Sequence, residues 1–175
     1  MRSIKWIVIV FLFMACHNQH AKIDTSQIVK GVYFGMDADT FFKHCWDMNQ
    51  KGETHHGSLD NNVMYVDSLN FSDIVNINFY PKFNEDRKIS IMPMKFSYRN
   101  WNIWSKEKYS QDKLQKEVVK FFEMKYGEGF NSKEIDENHT GYFKVIGPLT
   151  IRVFKDFDEM IVKADLKHKD FVDEK

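Results

Sequence analysis

Five residues in the middle of the chain impose the strongest constraint on its fold. Val75-Asn76-Ile77-Asn78-Phe79 alternates apolar and polar side chains without a break. Successive side chains of a strand point to opposite faces, so a period of two describes a strand with one face in a core and one in water. Sheets wet on one side are typically antiparallel, since parallel sheets are covered on both faces. Val63-Met64-Tyr65-Val66-Asp67 alternates more loosely and reads as another strand. Residues 89–98 give a third, with Pro93 predicting a bulge or an edge position because proline has no N–H for a ladder. The stretch 81–88 between them is a charged turn region. Three further runs, near 141–146, 149–154 and 160–166, carry strand-like patterns, with a turn at Phe157-Asp158-Glu159.

Two helices separate these runs. Asp37 is a good N-cap, because its carboxylate can accept from orphan backbone N–H groups. Met36 and Phe41 stand at the spacing of a hydrophobic staple. Phe41/Phe42, Cys45/Trp46 and Met48/Asn49 then recur at three- and four-residue steps, which predicts an apolar face. Gly52 is the expected stop. The second helix starts at Ser110, with Tyr109 and Leu114 repeating the staple spacing, and ends at Gly127. Its stripe is Leu114, Val118, Phe121 or Phe122, and Lys125 or Tyr126.

The order is helix and three strands, twice, so the expected class is α+β. Two helix-plus-three-strand units, near 31–98 and 105–166, would form antiparallel sheet with helices packed on one face. Residues 31–168 are expected to be a single globular domain, and 169–175 a charged, fraying tail. Gly35-Met36-Asp37 beside the first helix and Lys125-Tyr126-Gly127 closing the second resemble tandem α+β periplasmic domains. These are domains of the type represented by the β-lactamase-inhibitor protein and outer-membrane assembly lipoproteins. The resemblance implies a binding surface and not a catalytic one.

The N-terminal segment reads as an address. Arg2 and Lys5 precede Trp6–Ala15, ten residues without a charge. Ten helical residues rise roughly 15 Å, half a bilayer core, which suits a signal peptide better than a membrane span. A buried N-terminal element is the competing reading. Leu12-Phe13-Met14-Ala15-Cys16 resembles a bacterial lipobox of the loose Bacteroidota type, although Phe13 holds the place where leucine is expected. The resemblance implies that 1–15 is removed and that the Cys16 thiol and the new amine are acylated. The protein would then sit in the cell envelope, held to a membrane through its N-terminal lipid, because two or more acyl chains anchor durably. Cleavage after Ala15 without lipid is the alternative, disfavoured by the bulk of Phe13. Residues 16–30 are polar and read as a lipid-anchored flexible tether. His17 and His20 within it form at most a weak metal pair.

Composition excludes some functions. With 25 Lys+Arg against 25 Asp+Glu the formal net charge is zero, which leaves no basic excess for nucleic acid. Two cysteines make no disulfide framework. A Cys16–Cys45 bond would be open only if Cys16 escaped lipidation. No nucleophile elbow, phosphate loop, dinucleotide fingerprint or His-Glu-x-x-His run occurs, and no cofactor is implied. The candidate metal ligands are His44, Cys45, His55 and His56. Adjacent positions on a helix stand about 100° apart, which sets His44 and Cys45 against sharing an ion. A Cys45 nucleophile with His55 or His139 as base is a further candidate, opposed by the raised pKa of a buried thiol. Asp37-x-Asp39 lacks the remaining oxygen ligands of a calcium site, and Glu85/Asp86, Glu134/Asp136/Glu137 and Asp156/Asp158/Glu159 read as solvated turns.

The densest aromatic run is Tyr98-Arg99-Asn100-Trp101-Asn102-Ile103-Trp104. Tyr, Trp and Arg are enriched in interfaces, so Tyr98, Arg99, Trp101 and Trp104 form the candidate partner or ligand surface. Core closure by Trp101 and Trp104 is the plainer alternative. The expected function is thus a non-catalytic binding module meeting an envelope protein, with inhibitor or immunity roles as special cases. A carbohydrate-binding accessory using Trp101/Trp104, and less favourably a metal-handling protein, are the alternatives.

Overall fold

A computed structural model describes residues 23–57, 62–136, 139–158 and 160–173. The expected signal peptide at 1–15, Cys16, His17 and His20 lie outside the described residues, as do Glu137, Glu159 and the side chain of His139. No described helix is long and apolar enough to cross a membrane.

Both helices form where their caps stand. Helix α1 runs Ala38–Gln50, with the Asp37 carboxylate accepting from the Thr40 N–H at 2.9 Å and its hydroxyl at 2.6 Å. It stops at Gly52, whose φ of +70° suits glycine and whose N–H donates to Asn49 O at 2.9 Å. Helix α2 runs Gln111–Tyr126, capped by the Ser110 hydroxyl and closed by Gly127 at φ +80°. Leu114, Val118, Phe122 and Tyr126 are its buried stripe.

The strands are β1 (His55–His56), β2 (Val63–Asp67), β3 (Val75–Phe79), β4 (Lys82–Phe83), β5 (Ile89–Tyr98), β6 (Asn131–Asp136), β7 (His139–Ile146), β8 (Leu149–Lys155) and β9 (Val162–His168). They join one antiparallel sheet in the order β1-β2-β3-β5-β9-β8-β7-β6, with β4 alongside β5. The class is α+β, but the expectation of three strands per unit is corrected. β1, β4 and β6 are additional. β6 reads Asn-Ser-Lys-Glu-Ile-Asp, with one apolar residue, and carries no alternation to detect. As an edge strand it has a single neighbour and needs little apolar pattern.

Pro93 is also corrected, because it occupies neither a bulge nor an edge. β5 lies inside the sheet, and Pro93 pairs in regular register with Asp165 of β9. On its other flank the β3 ladder ends at Phe79–Met94 and the β4 ladder begins at Lys82–Ile91. Pro93 stands in that gap, where no ladder asks for its missing N–H.

The register carries one buried face through the sheet. Tyr65, Ile77, Phe96 and Val162 line up across β2, β3, β5 and β9, and all four are buried. So do Phe79, Met94, Ala164 and Val153 across β3, β5, β9 and β8. Phe122 of α2 meets Phe96 edge-on at 6.0 Å, and α2 lies close to β5, β8 and β9.

The chain on either side of this body is better anchored than its polarity implies. Ile28 and Val29, assigned above to the tether, are core residues at 0% and 5% exposure. Lys125 Nζ donates to Ile28 O and Tyr126 Oη to Gln27 O, so the end of α2 holds this segment. A tether ending at residue 30 is therefore too long. Beyond β9, the 3-10 turn Lys169–Phe171 sets Phe171 against His168, ring centroids 5.1 Å apart.

Candidate functional site: an aromatic groove

Helix α1 has more apolar surface than it buries. At 100° per residue, Met48, Phe41 and Cys45 fall within about 60° of arc, while Phe42 and Trp46 lie roughly 60° and 100° beyond Cys45. Phe41 and Met48 are buried accordingly, and Cys45 is half-buried. Phe42 remains 47% exposed and Trp46 67%. One turn apart, they share a side of the helix.

Phe41 fixes this corner. Its ring meets Phe42 at 5.6 Å, Phe83 at 6.0 Å and Tyr80 at 6.3 Å, all near edge-to-face. Between α1, residues 54–56 and the start of β2 opens a groove of about 460 Å³. Phe42, Cys45, Trp46, His55, His56 and Tyr80 are among its walls, and among the described residues none that lines it is an Asp, Glu, Lys or Arg. His56 pairs with Val63 across the ladder and shares its face, while His55 pairs with Met64. Asn49 Nδ2 donates to Thr54 O at 3.3 Å, tying the helix to the loop that presents the histidines.

The four candidate metal ligands separate. Cys45, His55 and His56 reach the groove, whereas the His44 ring lies beside Gly31 with Nε2 donating to Lys30 O at 2.7 Å. Among the described residues no three His, Cys, Asp or Glu side chains stand close enough to hold a metal ion. Burial pushes the Cys45 thiol up to about 11, so at neutral pH it is a protonated wall of the groove and a poor nucleophile.

The aromatic run at 98–104 separates as well. Tyr98 is buried, its hydroxyl donating to Glu117 Oε2 at 2.8 Å and its ring 5.0 Å from Tyr109. Tyr109 in turn donates to Asp73 Oδ2 at 2.9 Å, and Lys108 pairs with the same carboxylate at 3.2 Å. Ile74 N–H, Tyr109 and Lys108 together hold the Asp73 carboxyl down at about 2. Trp101 is partly buried against the core. Arg99 is exposed, and Trp104 projects from the 3-10 turn Ile103–Ser105 at 93% exposure. Trp101 and Trp104 border neighbouring depressions that share Lys106 and Ser110.

The groove residues Phe42, Trp46 and Tyr80 were not legible as a site, because Phe42 and Trp46 read as part of a buried stripe. The available signal was the width of the apolar arc, which exceeds what one packing face covers. No protein family, curated protein or solved structure matches the chain.

Proposed function

We propose that the protein is a lipid-anchored module of the cell envelope that binds a partner at the α1 groove and performs no covalent chemistry. The observation that carries this reading is the pair Phe42 and Trp46. Large rings left in water on a helix that buries Ala38, Phe41 and Met48 mark a surface that a ligand covers. The raised thiol of Cys45 supports a binding role over a nucleophilic one. The leader pattern ending at Cys16 supports the anchor, and the resemblance to tandem α+β binding domains favours the same use. In this reading both helices lie over one face of the sheet. Val63 and Phe41 lining one groove, and Phe122 meeting Phe96, support that arrangement.

Two measurements test the proposal. Capture from solubilised envelope extract should succeed with the wild-type chain and with Trp104→Ala and fail with Phe42→Ala/Trp46→Ala. Equal capture by all three contradicts the assigned surface. Cys16→Ser should move the protein out of the detergent phase, and a variant that stays there removes the lipid anchor from the proposal.

A further inference from the structure

We propose that the groove binds a neutral sugar ring, with the C–H face of the ring on the Trp46 indole and its hydroxyls toward His56 and Asn49. The inference rests on the binding-module reading and narrows it to one ligand class.

Three observations favour this occupant. The first is charge. The chain is 29% charged, yet among the described residues no acid, Lys or Arg lines the groove, so an anionic or cationic ligand would find no counter-charge in that lining. The second is the mixture of surfaces. Exposed rings of Trp46, Phe42 and Tyr80 stand beside His55, His56 and Asn49, which carry hydrogen-bonding groups. A wholly apolar partner helix would strip water from the imidazoles and return no hydrogen bond. A neutral imidazole offers one donor and one acceptor, and an amide offers both, which matches hydroxyls that do the same. Asn49 already uses its Nδ2 on Thr54 O, leaving its Oδ1 to accept from a ligand hydroxyl. The third is size. About 460 Å³ falls within the roughly 300–1,000 Å³ of small-molecule sites. A sugar ring has an apolar face and a polar rim, so it satisfies all three conditions at once.

Full-length protein titrated with neutral monosaccharides and disaccharides, followed by saturation-transfer NMR and calorimetry, tests the proposal. Saturation should reach the ring C–H protons of at least one neutral sugar. Trp46→Ala should weaken that sugar by about tenfold, the size of one aromatic contact. His56→Ala should weaken it less, and Trp104→Ala should leave it unchanged. Trp46 is mostly exposed, so its replacement should leave the thermal melt in place and keep the loss attributable to binding. Silence across the neutral panel, preference for uronic or sialic acids, or binding indifferent to Trp46→Ala overturns the proposal. If the sugars are silent while envelope capture still depends on Trp46, the binding-module reading stands and the ligand class falls. If capture is also indifferent to Trp46, both fall.

Discussion

Replacing Gly35 by alanine probes how the C-terminal turn is held. Gly35 has φ +82°, and its N–H donates to Ile89 O at 2.9 Å, so the backbone is fixed from the sheet side. An added Cβ would stand 2.6 Å from Phe171 Cζ and 2.7 Å from its Cε1, closer than carbon atoms approach. Two penalties follow. The left-handed backbone costs an L-residue about 1–2 kcal/mol. Displacing the packed Phe171 ring adds about 1–3 kcal/mol, the usual range for overpacking. Gly35→Ala should therefore destabilise by about 2–5 kcal/mol in urea unfolding at fixed pH. In a Phe171→Ala background the clash is gone and only the backbone term remains, so the same substitution should cost about 1–2 kcal/mol. The double-mutant cycle isolates the contact. An equal cost in both backgrounds would show that Phe171 does not lie over Gly35 and would refute the docked turn.

Two further outcomes follow from buried groups. His168 is 5% exposed between the rings of Phe34 and Phe171, and its Nδ1 has no hydrogen-bond partner among the described residues. Burial is the main cause of its lowered pKa, with Asp170 opposing and Lys169 assisting, so the unfolded chain takes up the proton first on acidification. Stability should be full above about pH 6.5 and fall as the pH drops through the folded-state value, and His168→Phe should flatten that acid limb. Cys45 in a Cys16→Ser background is the sole thiol, and its alkylation rate should inflect near 11; an inflection below the ordinary 9.0 would contradict its burial.

Much of the scaffold was legible because its signals are local. Asp37, Ser110, Gly52 and Gly127 act within one turn of themselves, and each stands where the sequence places it. Val75, Ile77 and Phe79 alternate because one sheet face is buried, which the period of two reports directly. What was missed depends on distant neighbours. β6 is a strand because β7 offers it a ladder, and apart from Ile135 its own residues are polar. Ile28 and Val29 stand in a mostly polar stretch, yet the end of α2 reaches back to hold them. The dense run at 98–104 divides between core and surface, because sequence proximity is not surface proximity. Strand β5 ends at Tyr98 in the core, and six residues later Trp104 stands in water. Phe42 and Trp46 carried the pattern of a buried stripe, and only the position of α1 relative to Tyr80 and His56 turns them into the wall of a groove.

A photoreactive side chain addresses the assigned surface most directly. With Trp46→p-benzoylphenylalanine in the full chain and irradiation of intact cells, an adduct should form at position 46. Trp104→p-benzoylphenylalanine, at the more exposed tryptophan, should give none. Adducts at position 104 with position 46 silent would place recognition at the 98–104 run and contradict a ligand seated between α1 and β1.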